Sequence, residues 1–190
     1  MPPGPLSAAT LFTDSRPLWL EIGFGSGEHL AAQAAANPQV GVIGAEPFLN
    51  GVVGALGHVQ TQALGNIRLH MGDALDVLDR LPDASLARAF LLHPDPWPKT
   101  RHAKRRFVNP GPLGLLAAKL MPGAELRIGT DHPVYCRWTL LQMAQHRDFE
   151  WLAATPGDWQ VRPDDWPPTR YETKARRLGH EVWYLRFRRR

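Results

Sequence analysis

The chain is nearly without cysteine. Cys136 is the only one in 190 residues, which excludes a disulfide framework and a thiolate metal site. Its eight histidines are scattered without ligand spacing, so no metal is expected. No apolar run is long enough to span a bilayer. Residues 1–17 lack the charged start and apolar core of a signal peptide. These absences argue against a membrane partner and leave the cytoplasm as the default compartment. Internal repeats and low-complexity tracts are missing too. Acids are absent from one place and scarce in another. Residues 99–106 hold five lysines and arginines and no acid, and residues 170–190 hold eight with only Glu172 and Glu181. Those two windows contain thirteen of the 22 basic residues, so the net charge of +4 understates a local concentration that suits a polyanion.

What is present reads as one α/β domain over residues 18–190, behind a loose, proline-rich leader at residues 1–17. A short apolar strand, Leu18-Trp19-Leu20-Glu21-Ile22, runs into Gly23-Phe24-Gly25-Ser26-Gly27 and then an alanine-rich helix from Glu28 to Ala36. Strand, glycine turn and helix form a nucleotide-cofactor opening, because glycine lets backbone approach a ligand where a Cβ would collide. A second strand ends at Glu46, which is placed to accept from ribose hydroxyls or to stand as a solvated acid. A helix over residues 49–64 is weakened by three glycines. A third strand ends at Asp73, suited to an adenine amino group or to capping the next helix. A turn at Pro122-Gly123 leads into a fifth strand that closes on Asp131, before a helix whose Trp138, Leu141 and Met143 are read as core. Residues 155–179 read as one long functional loop. Repeated βα units imply a mostly parallel sheet with helices on both faces, and the last two strands are expected to pair antiparallel.

The fourth strand leads to the most informative stretch, His93-Pro94-Asp95-Pro96-Trp97-Pro98-Lys99. Three prolines stop any regular ladder and stiffen the loop around Asp95 and Trp97. That loop lies past the carboxyl end of a strand, where open α/β sheets bind ligands. Basic residues 99–106 follow, as a phosphate grip or as solvated surface.

The glycine spacing is GxGxG rather than the GxGxxG of dinucleotide sites. Glu28 in the first helical turn would repel a pyrophosphate. S-adenosylmethionine has no phosphate and carries a positive sulfonium. Five acids at strand ends, Glu21, Glu46, Asp73, Asp95 and Asp131, suit it better than a dinucleotide.

These motifs resemble the bacterial tRNA (guanine-N7-)-methyltransferases from Trp19 to the C-terminus. The resemblance rests on Leu20-Glu21-Ile22-Gly23-Phe24-Gly25, Gly44-Ala45-Glu46-Pro47-Phe48, Gly72-Asp73-Ala74, Thr130-Asp131-His132 and Thr169-Arg170-Tyr171-Glu172. Its most specific part is Pro94-Asp95-Pro96-Trp97-Pro98-Lys99 with Arg101-His102-Ala103-Lys104-Arg105-Arg106. It implies a Rossmann-like class I fold with a seven-stranded sheet and an antiparallel last strand. The implied activity is S-adenosylmethionine-dependent methylation of guanosine N7 in the tRNA variable loop. Glu21, Gly23, Gly25, Glu46, Asp73 and Asp95 are then cofactor contacts, with Asp95 also the catalytic acid. Lys99, Asp131, Thr169, Arg170, Tyr171 and Glu172 are implied substrate contacts, and residues 101–106 an RNA-interacting segment. His93 stands where the family usually has phenylalanine, and the family's basic N-terminal extension is shorter here. Another nucleic-acid N-methyltransferase or a non-catalytic RNA-binding module are the alternative readings. Monomer and homodimer are both compatible with the sequence.

Overall fold

The computed structural model describes residues 1–190. Its elements run α1 (Ala8–Phe12), β1 (Leu18–Ile22), α2 (Glu28–Ala36), β2 (Gly41–Ala45), α3 (Leu49–Thr61), β3 (Ile67–His70), α4 (Ala74–Arg80) and β4 (Leu86–Leu92). After a 3-10 segment (Thr100–Arg105) come α5 (Pro110–Lys119), β5 (Leu120–Thr130), α6 (Pro133–Gln145), β6 (Phe149–Trp151), α7 (Gly157–Gln160), α8 (Arg170–Arg177) and β7 (Trp183–Arg189). The strands form one sheet in the order β3-β2-β1-β4-β5-β7-β6. All pairs are parallel except those of β7, which runs antiparallel to β5 and β6. The expected seven-stranded α/β sheet is therefore observed.

Both faces of the sheet are covered, which is why β1 and β2 are buried at every position. One apolar layer joins Leu20, Ile43 and Ile128 to Leu78 of α4, Leu116 of α5 and Met143 of α6. The other joins Trp19, Val42 and Phe90 to Leu30 of α2, Ala55 of α3 and Ala175 of α8. Strand order reverses between β1 and β4. The crevice at their carboxyl ends is the place where such a sheet binds ligands. No helix is long and apolar enough to cross a membrane.

Four expectations need correction. The leader is not loose: Ser7 caps α1, and Leu6, Leu11 and Phe12 enter the core. Burying those three side chains contributes roughly 1.5–3 kcal/mol each, which offsets much of the entropy lost in ordering the segment. The supposed turn at Pro122-Gly123 is a bulge inside β5, where the register jumps from Leu86↔Leu120 to Arg88↔Glu125. Leu141 faces outward, 49 % exposed, while Met143 is buried and Trp138 half-buried. Residues 155–179 are not structureless, since they contain α7 and α8. The chain between those helices is pinned by distant groups. Arg127 donates to both Asp165 oxygens, at 3.0 and 2.7 Å, and Gln33 donates to the Asp165 carbonyl. Trp166 is buried edge-on against Tyr184.

Candidate active site

The first cavity-building segment is the glycine turn after β1. Gly23, Gly25 and Gly27 all have positive φ, which L side chains rarely adopt. Glu46 at the end of β2 holds the turn in place. One carboxylate oxygen accepts from the Gly25 N–H at 2.9 Å and the other from the Phe48 N–H at 3.0 Å. The glycines of α3 belong to the same arrangement. A Cβ on Gly51 would lie 2.4 Å from the Gly25 carbonyl oxygen and 2.8 Å from the Glu46 Cγ. Helix propensity is given up there so that α3 can lie directly on the turn.

This packing leaves a cavity of about 470 Å³ at the switch point, lined by Gly23, Gly25, Glu46, Phe48, Asn50 and Gly51. Its far wall is Leu91, Leu92, His93 and Asp95 from β4 and the loop beyond. A second cavity, about 800 Å³, lies toward β5 and is lined by Asp95, Asp131, His132, Lys174 and His180. His93, Pro94, Asp95 and Tyr171 line both. They form the wall between the cavities.

The loop carrying Asp95 is held by strained backbone and by one buried arginine. His93 and Trp97 have φ of +48° and +41°, which costs on the order of 1–3 kcal/mol each and persists because the surroundings enforce it. The His93 N–H donates to the Gly129 carbonyl at 2.7 Å. Arg106 donates to the carbonyls of Pro96 and Trp97 at 3.0 and 2.8 Å, and its guanidinium lies over Trp138. The Asp95 side chain stays exposed at the cavity wall.

Asp131 is clamped. Its oxygens lie 3.2 Å from His93 Nδ1 and 3.3 Å from His180 Nδ1. Burial pushes its carboxyl up, but the bonds from His93 and His180 outweigh burial and hold it below the ordinary value. Tyr171 extends from α8 across the Gly25 turn, 43 % exposed. Arg170 beside it donates to the Tyr171 hydroxyl and lines the smaller cavity.

The structure brings Gly23, Gly25, Glu46, Asp95, Asp131, Arg170 and Tyr171 to these cavities and leaves several expected residues out. Glu21 is buried under α2, its carboxylate 2.8 Å from His29 Nδ1, so it braces the layer behind the turn. Asp73 is exposed and caps α4 by accepting from the Leu75 N–H at 3.0 Å. Lys99 is exposed and lines neither cavity. Thr169 is buried and caps α8 through the Glu172 N–H. Glu172 is buried too. It accepts from the Tyr184 hydroxyl at 2.7 Å and from Arg176 at 3.0 Å, away from either cavity. Of the basic segment, Arg101, Lys104 and Arg105 face solvent, while Arg106 is turned inward. His102 and Ala103 are half-buried. His102 meets the edge of Trp97, and the Ala103 carbonyl accepts from Asn109. Trp97 lies between His102 and the Arg105 guanidinium, packed within its loop.

Sequence reasoning missed the His93 and His180 clamp and the inward role of Arg106. The only signal was His93 at a phenylalanine position; nothing local distinguishes Arg106 from its basic neighbours.

Comparison with known proteins supplies the family. Residues 15–185 match the model of a family described as "Putative methyltransferase". A tRNA (guanine-N(7)-)-methyltransferase of Zymomonas mobilis is 64 % identical over 184 residues, covering 97 % of this chain and 80 % of the relative. The chain belongs to the tRNA (guanine-N7-)-methyltransferase family. A family member from Sphingopyxis alaskensis is 61 % identical over 193 residues, covering 98 % of the chain and 81 % of the relative. Solved structures support the fold alone. A 16S rRNA methyltransferase, KamB, superposes with a TM-score of 0.62 at 17 % identity, covering 95 % of this chain and 91 % of that one. A Streptococcus thermophilus rRNA methylase does so with 0.60 at 12 %, covering 93 % and 88 %.

Proposed function

We propose that the smaller cavity holds S-adenosylmethionine, that the larger one receives a guanosine from the tRNA variable loop, and that methyl transfer to N7 takes place across the wall they share. One observation carries this reading: His93, Pro94, Asp95 and Tyr171 line both cavities. The smaller cavity suits the cofactor's chemistry. Its glycine cradle admits close backbone approach, and Ile22, Phe48 and Leu91 offer apolar surface to an adenosine. Each Glu46 oxygen already accepts one backbone N–H, and its remaining lone pairs can accept ribose hydroxyls.

S-adenosylmethionine supplies a methyl group on a positively charged sulfur. Guanine N7 has a free lone pair and no proton to lose, so no strong general base is required. The residues must position the base and control charge. In-line placement alone contributes up to about 7–11 kcal/mol in favourable cases. Asp95 and Asp131 accept from the N–H groups of the guanine Watson–Crick edge and balance the cation that develops on the ring. Arg101, Lys104 and Arg105 contact tRNA phosphates. Those contacts offset the few kcal/mol needed to draw a base out of its stack.

The test is incubation with labelled S-adenosylmethionine and bulk tRNA, followed by nucleoside analysis. 7-Methylguanosine mapped to the variable loop is the expected product. A methylated exocyclic amine, or no label in tRNA, would overturn the assignment.

A further inference from the structure

We propose that His93 is a positioning residue for methyl transfer and acts as the neutral imidazole. The proposal rests on the two-cavity reading above.

Residue 93 is held in a left-handed conformation, with its N–H bonded to Gly129 on β5. That backbone carries the ring across the mouth of the sheet, where Nδ1 meets Asp131 Oδ1 at 3.2 Å. The opposite Asp131 oxygen meets His180. The His93 ring also lies nearly parallel to Tyr171, with centroids 6.3 Å apart and planes 25° apart. Donation from Nδ1–H to Asp131 fixes the tautomer, which leaves Nε2 as an uncharged acceptor. The His93 side chain is nearly buried, 7 % exposed, and Asp131 is the one polar group bonded to its ring.

Positive charge must pass from the smaller cavity to the purine in the larger one, and His93 stands in the wall between them. A neutral ring there aims Asp131 without opposing the passage. An imidazolium would repel the cation and hold the Asp131 charge to itself. The charged and titratable groups that share its cavities come from several elements: Asp95 from its own loop, Asp131 and His132 after β5, Arg170 and Lys174 from α8, and His180 and Glu181 ahead of β7. Glu46 and Arg105 line the smaller cavity with it. Histidine here carries a donor for Asp131, and phenylalanine at this position would not.

The test is single-turnover methylation of tRNA from about pH 5.5 to about pH 8.5, across the usual histidine range. Wild type is compared with His93→Phe, His93→Asn and His180→Gln. Asparagine tolerates the left-handed backbone, so it serves if phenylalanine fails to fold. The wild-type rate should climb through one protonation step to a plateau. Both His93 variants should lose that step, with a plateau roughly tenfold lower because Asp131 is no longer aimed. tRNA affinity by filter binding should hold within about twofold, since the exposed cations are untouched, and cofactor affinity by calorimetry sets the saturating concentration used for each variant. His180→Gln should keep the step. Persistence of the step in the His93 variants, its loss in His180→Gln, or an undiminished plateau would overturn the proposal. Absence of 7-methylguanosine from the wild-type reaction at every pH would overturn the two-cavity reading and this proposal with it.

Discussion

The two halves of the sheet use their acids in opposite ways. In the β1–β2 half, Glu21 and Glu46 are buried, one against His29 and the other against two backbone N–H groups. In the β4–β5 half, Asp95 is exposed and Asp131 half-exposed, both on cavity walls. A buried carboxylate must find donors inside the protein, so its geometry serves the fold first. An open one keeps lone pairs for a ligand. Of the five strand-end acids that look alike in the sequence, Glu21 braces α2, Asp73 caps α4, Glu46 shapes the glycine turn while lining the smaller cavity, and Asp95 and Asp131 line the larger one.

The sharpest test of this division is Asp95→Asn. Asparagine keeps the size but turns one acceptor into a donor. Methyl transfer in single turnover should fall about 10²–10³-fold, by analogy with losing one oxyanion-hole donor. Filter binding of tRNA should barely change. Near-normal transfer would move the active acid to Asp131.

Glu172 tests the comparison from the buried side. Glu172→Gln should lower stability by about 1.5–3 kcal/mol in urea unfolding, because charged hydrogen bonds to Tyr184 and Arg176 are lost. Tyr184 should report the change as well. Burial, and then the bond to Glu172, pushes its phenol up to about 12. The raised value contributes stability that is present below the unfolded pKa near 10 and is lost as pH rises through about 12. A variant with unchanged stability but weakened tRNA binding would return Glu172 to the substrate site.

Glu46→Ala should weaken S-adenosylmethionine binding by about 1–3 kcal/mol in calorimetry. Part of that loss is direct and part comes from the released Gly25 turn. Gly54→Ala separates the two, since its added Cβ presses on Ser26 of the turn, 3.0 Å from the carbonyl oxygen, rather than on Glu46. Affinity lost only in Glu46→Ala would assign the whole effect to the carboxylate.

The smallest effects belong to the basic segment, where the same contrast between inward and outward groups recurs. Neutralising Arg101, Lys104 and Arg105 should reduce the log–log salt slope of tRNA binding by roughly 0.7–0.9 for each phosphate that is no longer neutralised. Arg106→Ala should leave the slope nearly unchanged and lower the melting temperature, because it frees the Pro96 and Trp97 carbonyls. An equal slope change from Arg106→Ala would mean that it, too, reaches the phosphates.

The order of the strands and of the helices between them, the glycine turn and the strand-end acids are legible in the chain before it folds, whereas α1, α7 and α8 are not. Each is carried by neighbours a few residues apart: alternating or continuous apolar runs, glycines where φ turns positive, prolines that end a strand. Glu28–Ala36 was legible as a helix for that reason, and so was the stiff loop around Asp95. Which polar side chains work outward is settled later, by the assembled fold. Glu172 turns inward because Tyr184 waits 12 residues further on. Asp165 pins its loop to Arg127, and His93 clamps Asp131, each across 38 residues. Arg106 abandons the phosphate face for two carbonyls that the prolines leave without ladder partners. A buried charge takes whatever donor or acceptor the fold brings within about 3 Å, and that partner is fixed by strand order and layer packing, which no local pattern of residues records.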